Sequence, residues 1–477
     1  MSEDFDRFDD DDNSDEHLLE IADRFERMLA LGNEMYLDVE DFEDLIEHFY
    51  YQNNLPKAIR VADIASRQHP HVLVFKLKKA QLLASTNRPE KALELLSQAE
   101  RVEPSNSEIY LTRGAIFSQM NRSEDAIDEY RKAVRNSEEP DEVYTSIAIE
   151  YENLGEYDKA IKYLKLAIDK NPENEGALYE IAFCYEANSR FDDSVDYFNH
   201  YLDKNPFSAP AWYNLGIAYD NLSLHEKAID AFDFAIAIND TYITAYFNKA
   251  ISLSSLKRYD DAIAVYEDTF EFDQPSGLTF YFIGECFEKQ QRFAEALFNY
   301  QKAIDLDNSL GIAWSGAAVA MDELGRLPQA INYASKSTLI DPENADFFYI
   351  LGDLYLKAGD IDKAVHSYEQ VLEMDSQNFE IYIDLAEVYY KHVDIFKALE
   401  LLRTGISRLP GQPDLHFFLA GLLFLQGKTG EASDNLETAL GLDFSLHTRF
   451  IDEFPELSAN EIVLNLIDFY KQKNNQA

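Results

Sequence analysis

The chain has 477 residues and a formal net charge of −46 at pH 7, from 88 acidic and 42 basic side chains. A surface that negative repels phosphate backbones and anionic lipid, which argues against nucleic acid and membranes as partners. No apolar run reaches the length of a membrane span.

Residues 1–16 hold nine acids, including the run Asp9 to Asp12, with Phe5 and Phe8 among them. Such a run cannot pack against itself, so a disordered acidic tail is expected. The glycine and spaced acids of a calcium loop are missing. Nor is there the basic-then-apolar order of a signal peptide, so a cytoplasmic location is expected. Ser14 can cap a helix that follows, with Ile21, Phe25, Met28 and Leu29 on one face and Gly32 as its stop. Residues 17–38 therefore read as an N-terminal capping helix.

From residue 39 the chain is periodic. Units of 34 residues start at Val39, Leu73, Ser107, Asp141, Glu175, Ala209, Ile243, Gly277, Gly311, Ala345, Phe379 and Pro413, with no insertion or deletion. Position 20 is alanine in eleven units, Ser194 being the exception, and position 8 is Gly or Ala in eleven, Ile46 being the exception. Small residues at both positions let two helices approach closely. Position 32 is proline in six units, where it ends a second helix. Gly155, Gly325, Gly359 and Gly427 mark turns near position 15. In the sixth unit Trp212, Leu215, Gly216, Tyr219, Ala228, Phe232 and Ala235 fall at positions 4, 7, 8, 11, 20, 24 and 27. This pattern resembles the tetratricopeptide repeat, a 34-residue helix–turn–helix. The resemblance covers twelve units over residues 39–446. It implies an all-α fold, a right-handed superhelical solenoid whose units touch mainly their neighbours.

After Leu446 the phase persists weakly. Pro455 interrupts a first helix, and Ser458 can cap a last one carrying Ile462, Val463, Leu466, Ile467 and Phe469. Residues 447–477 read as a divergent C-terminal capping unit, since end repeats must differ from inner ones.

Catalytic and metal-binding patterns are missing. There is no Gly-rich phosphate loop, no HExxH and no CxxC, and the ten histidines are scattered. Cys184 and Cys286 both fall at position 10, three units apart, and read as buried small side chains. No enzyme activity, cofactor or metal is expected.

Positions 2, 5, 6, 9, 12 and 13 share an arc of the first helix, opposite the side that packs. In the family this arc lines a concave groove that grips extended or helical partner segments. Here position 5 reads Tyr179, Tyr213, Phe247 and Tyr281 in the central units, and position 9 includes Phe183, Ile217 and Ile251. Position 6 includes Asn214 and Asn248, whose amides can serve a peptide backbone. Two such rungs are similar to the asparagine ladder of O-linked N-acetylglucosamine transferases. Of the 72 arc residues, twenty are acidic, among them Glu186, Asp220, Glu285, Glu288 and Asp322, and four are basic. Chaperone-tail-binding relatives use a Lys/Arg/Asn clamp at positions 2, 5, 6 and 9; here those columns hold Lys78 and no arginine. The expectation is a non-catalytic scaffold for another protein, through a segment with apolar and basic residues. The alternatives are a self-assembling structural element, hence a homo-oligomer, or a regulatory subunit of an enzyme encoded elsewhere.

Overall fold

The structure is a computed structural model that describes residues 17–28, 36–272 and 274–474. The expectations for residues 1–16, Leu29 and Gly32 lie outside the described residues. The chain divides into two units, Met1–Ser252 and Leu253–Ala477, each considered by itself.

Every regular element among the described residues is helical. The repeats appear as twelve successive helix pairs, from Val39–Tyr51 with Leu55–Gln68 to Pro413–Leu425 with Thr429–Leu442. The first helices start at position 1 of their units, except that Pro140 begins the fourth one residue early. Local chemistry explains these boundaries. The last residue of the preceding unit caps six first helices: Asn106, Asn174, Ser208, Ser276, Asn344 and Asn378 each accept a first-turn N–H. The turn between the helices puts position 15 in the left-handed region, with φ between 52° and 78° at eleven positions. Only four of these are glycine; Asn53, Asn87, Asn121, Ser189, Ser223, Lys257 and Gln291 adopt it at a conformational cost. The eleventh unit lacks this turn. There the first helix ends in a π-helical stretch, Tyr389–Val393, before Asp394 caps the second helix.

Packing explains the small residues. A Cβ on Gly216 would stand 2.5 Å from the fully buried ring of Phe232, and one on Gly114 2.4 Å from Tyr130. All eleven alanines at position 20 are fully buried. Ala296, in a cluster with Leu297, Tyr300, Ala317 and Ala318, is one of them. Replacing it with Leu is expected to cost about 1–3 kcal/mol by overpacking. Because repeat stability is a nearest-neighbour sum, hydrogen exchange should quicken around residues 277–340 and remain unchanged in Met1–Ser252; acceleration there would contradict that picture.

The C-terminal segment forms the helices Leu446–Glu453 and Glu461–Asn474 with a 3-10 turn at Pro455–Leu457 between them. Ser458 is not the cap. Asn460 takes that role, its Oδ1 accepting from Ile462 N at 3.0 Å and Val463 N at 3.3 Å.

Candidate functional site

In the first unit the predicted arc residues come together around a tyrosine cluster. The Tyr213 ring lies 6.4 Å from Tyr179, edge-on, and 5.1 Å from Tyr242. The Tyr179 and Tyr242 hydroxyls are hydrogen-bonded to one another. Tyr213 also packs at 5.9 Å against Phe232, which ties the cluster to the core. Burial pushes the Tyr213 phenol up. Tyr179, Phe183 and Ile251 are exposed, Phe183 by 50%, while Ile217 and Phe247 are half-buried. The Phe183 ring meets Tyr157 edge-on at 6.4 Å.

Tyr242 escaped the sequence reading. It stands at position 34, in the turn, where six other units carry a capping Asn or Ser. An aromatic there gives up a cap worth about 1 kcal/mol, and that departure from the column was the available signal.

The two asparagines differ from the ladder expectation. Asn214 is only 4% exposed, and its amide donates to Leu178 O at 3.3 Å, in the preceding unit. It is taken up in packing. Asn248 is half-buried and donates to Thr244 O at 2.9 Å and to the Tyr213 hydroxyl at 3.2 Å. It orients the cluster.

The acids also divide. Glu186 is exposed. Asp220 is engaged: Ser252 Oγ donates to its Oδ1 at 2.8 Å, and His225 Nδ1 lies 2.7 Å from the same oxygen. Glu152, on the same arc one unit earlier than Glu186, accepts the Cys184 thiol at 3.1 Å. Burial, with Glu180 nearby, pushes its carboxyl up to about 7, while the Cys184 thiol is pushed up by its own burial. A carboxyl raised above its unfolded value stabilises the fold most below the unfolded pKa, and loses that contribution as pH rises through the folded one. Stability is thus expected to fall as pH rises from about 4.5 to about 7. Glu152→Gln should remove part of that slope, so that its melting temperature gains on wild type as pH rises. A gap that stays constant between pH 5 and 8 would refute the assignment.

In the second unit Tyr281 packs at 5.8 Å against Tyr300, whose hydroxyl donates to Glu288 Oε2 at 2.7 Å. Burial raises the Glu288 carboxyl. Glu285 is half-buried, and Asp322 binds Lys357 Nζ at 2.8 Å. Tyrosine hydroxyls similarly hold Asp353 and Asp384, from Tyr368 and from Tyr349 respectively. Three of the four arc lysines are tied to arc acids: Lys78 to Glu47, Lys357 to Asp322 and Lys391 to Glu387. Most arc carboxylates therefore have no cation beside them from the arc itself. Among the described residues no group of three or more His, Cys, Asp or Glu could hold a metal ion, and no helix is long and apolar enough to cross a membrane.

Tetratricopeptide repeat models match residues 77–139, 154–216, 209–242 and 247–310, and a model described as TPR repeat matches 352–393. No curated protein matches. Among solved structures, the APC/C hetero-tetramer Cut9-Hcn1 is 15% identical, covering 87% of this chain and 95% of that one, with a TM-score of 0.41. YrrB, a TPR protein with an unusual peptide-binding site, is 21% identical over 39% of this chain and 96% of its own, with a TM-score of 0.31. MamA is 19% identical over 35% and 97%, also with a TM-score of 0.31. At these identities the likeness is one of fold alone.

Proposed function

The chain belongs to the tetratricopeptide repeat family, and from that premise we propose that it is a non-catalytic scaffold holding a segment of another protein along its first-helix arc. The observation that carries this reading is the Tyr179–Tyr213–Tyr242 cluster with exposed Phe183 and Ile251 on the same arc. Rigid aromatics offer contact area with little rotamer entropy to lose. The surrounding acids, Glu186 foremost, suit a partner segment with Lys or Arg beside its apolar anchors, because complementary charge speeds encounter and rejects acidic competitors. Considered by itself, the unit Leu253–Ala477 carries similar residues on its own arc, Tyr281 and Glu285.

The test is affinity capture with the full chain from its source cell, analysed by mass spectrometry. A stoichiometric foreign protein carrying a basic, apolar segment is the expected result. Recovery of the chain alone would favour self-assembly and overturn the reading.

A further inference from the structure

A cleft of about 830 Å³ opens beside the tyrosine cluster, at the turns that join successive repeats. That volume is within the roughly 300–1,000 Å³ of ligand sites. The cleft spans three turns, from Pro172 to Tyr242, all in the first unit. Tyr179 and Tyr242, joined through their hydroxyls, line it, and so does Phe207, which is 84% exposed. Two of these side chains break their columns. Phe207 is the one Phe, Tyr or Trp at position 33 of the twelve repeats, and Tyr242 the one at position 34. The Tyr201 hydroxyl donates to Pro172 O at 2.5 Å, which ties the first turn to the helix that precedes the second.

The charge of the cleft has a sign. Among the described residues that line it, Glu173 and Glu175 are acidic and exposed, and Lys204 is basic. The three turns together, residues 169–175, 203–208 and 237–242, carry five acids and two lysines. The backbone does not decide the sign. Second helices ending at Lys170, Leu202 and Ile238 bring negative ends here, and first helices starting at Glu175, Ala209 and Ile243 bring positive ones. The side chains decide it, and the balance is negative. Burial, then the hydrogen bond to Tyr179, push the Tyr242 phenol up, and Glu175 adds to that push, so its carboxylate stands near the ring. Glu173 and Phe207 share position 33 of successive repeats, as Tyr179 and Tyr213 share position 5 with rings 6.4 Å apart. A cation lodged between carboxylate and ring therefore reaches both, since cation–π attraction acts within about 6 Å of a ring centroid. A guanidinium suits this better than an ammonium, because it stacks flat on a ring and presents its donors as a fork to carboxylates.

We infer that this cleft takes an arginine side chain from a segment of a partner protein, with the guanidinium over the Phe207 ring and hydrogen-bonded to Glu173 and Glu175. The inference rests on the scaffold reading above for the arrival of such a segment, but the cleft lies at the turns and is testable without the partner. Lys204 opposes the incoming charge. Binding of one side chain is therefore weak and gains its strength from the segment that carries it.

Methyl NMR of the full chain, with labelled isoleucine, tests this. Ile238 lines the cleft and is the reporter, its signal identified by Ile238→Val. Acetyl-Gly-Arg-Gly-amide should shift that signal saturably, the matching lysine peptide should shift it less, and the glutamate peptide not at all. Glu173→Gln with Glu175→Gln should weaken the arginine peptide several-fold at unchanged helical circular dichroism. Phe207→Leu, which keeps apolar bulk and removes the ring face, should do the same. Lys204→Ala should tighten binding, and Phe183→Ala, on the arc, should leave it unchanged. The inference is overturned if the three peptides shift Ile238 alike, or if the glutamine pair or Phe207→Leu binds the arginine peptide as tightly as wild type. The two readings fail separately. A captured partner that is lost by Phe183→Ala, yet held in full by Phe207→Leu and the glutamine pair, upholds the arc and overturns the cleft. Loss in the cleft variants alone upholds the cleft and removes the arc.

Discussion

Phe417→Ala is expected to cost about 3–5 kcal/mol, the range for emptying a buried phenylalanine site. Phe417 stands at position 5 of the twelfth repeat, the column that carries Tyr179 and Tyr213 in the fifth and sixth repeats. Here the column is closed over. Pro413–Leu425 is apolar on nearly every side, with Leu415 and all of Phe417 to Phe424 buried. The Phe417 ring meets Phe450 edge-on at 5.1 Å and lies 6.1 Å from Phe454, while the Arg449 guanidinium sits 5.2 Å above it. Gly421 lets this happen: a Cβ there would stand 2.2 Å from the Phe454 ring. The segment Leu446–Leu457 thus occupies the arc of the last repeat, as a partner segment is proposed to do elsewhere. Truncation should lower the denaturation midpoint and speed hydrogen exchange at 413–425 and 446–457. A cost below about 1 kcal/mol would show that this segment contributes little to stability.

The same comparison explains what the sequence could and could not disclose. Period and register follow from small residues at positions 8 and 20, because a single Cβ beside Phe232 or Tyr130 is intolerable. Arc membership follows equally, since it needs only 100° per residue. What a side chain does on the arc depends on its neighbours in the next unit, and that is invisible to a helical wheel. Asn214 and Asn248 share a position, yet the first bonds the Leu178 carbonyl and the second the Tyr213 hydroxyl. Asp220 and Glu186 share position 12, yet one is held by Ser252 and His225 and the other is exposed. Phe417 shares position 5 with Tyr179 and Tyr213, yet its ring is covered by Phe450 and Phe454, from a segment too divergent for a clear phase. Tyr242 was missed because it lies in a turn, where the period predicts a cap.

Tyr213→Ala combined with Phe247→Ala is expected to weaken binding of the captured partner by about 2–4 kcal/mol, as for anchor residues at the centre of an interface. This tests the proposed arc directly. Tyr213 does not simply point outward: its ring contacts Tyr179, Tyr242 and Phe232, so its loss should also lower the melting temperature. Affinity alone would then confuse a damaged fold with a lost contact. Phe183→Ala separates the two. Its ring is half exposed and touches Tyr157 at its edge, so the variant should keep the wild-type melting temperature while losing about 1 kcal/mol or more of binding. Glu186→Lys supplies the electrostatic arm. Glu186 is exposed, unlike Asp220, which is engaged by Ser252 and His225. Reversing it should slow association and flatten its salt dependence, with little change in dissociation. If Phe183→Ala and the double variant both bind the partner as tightly as wild type, the arc of the first unit is not the docking face, and the interaction belongs to the second-helix side or to the ends of the chain.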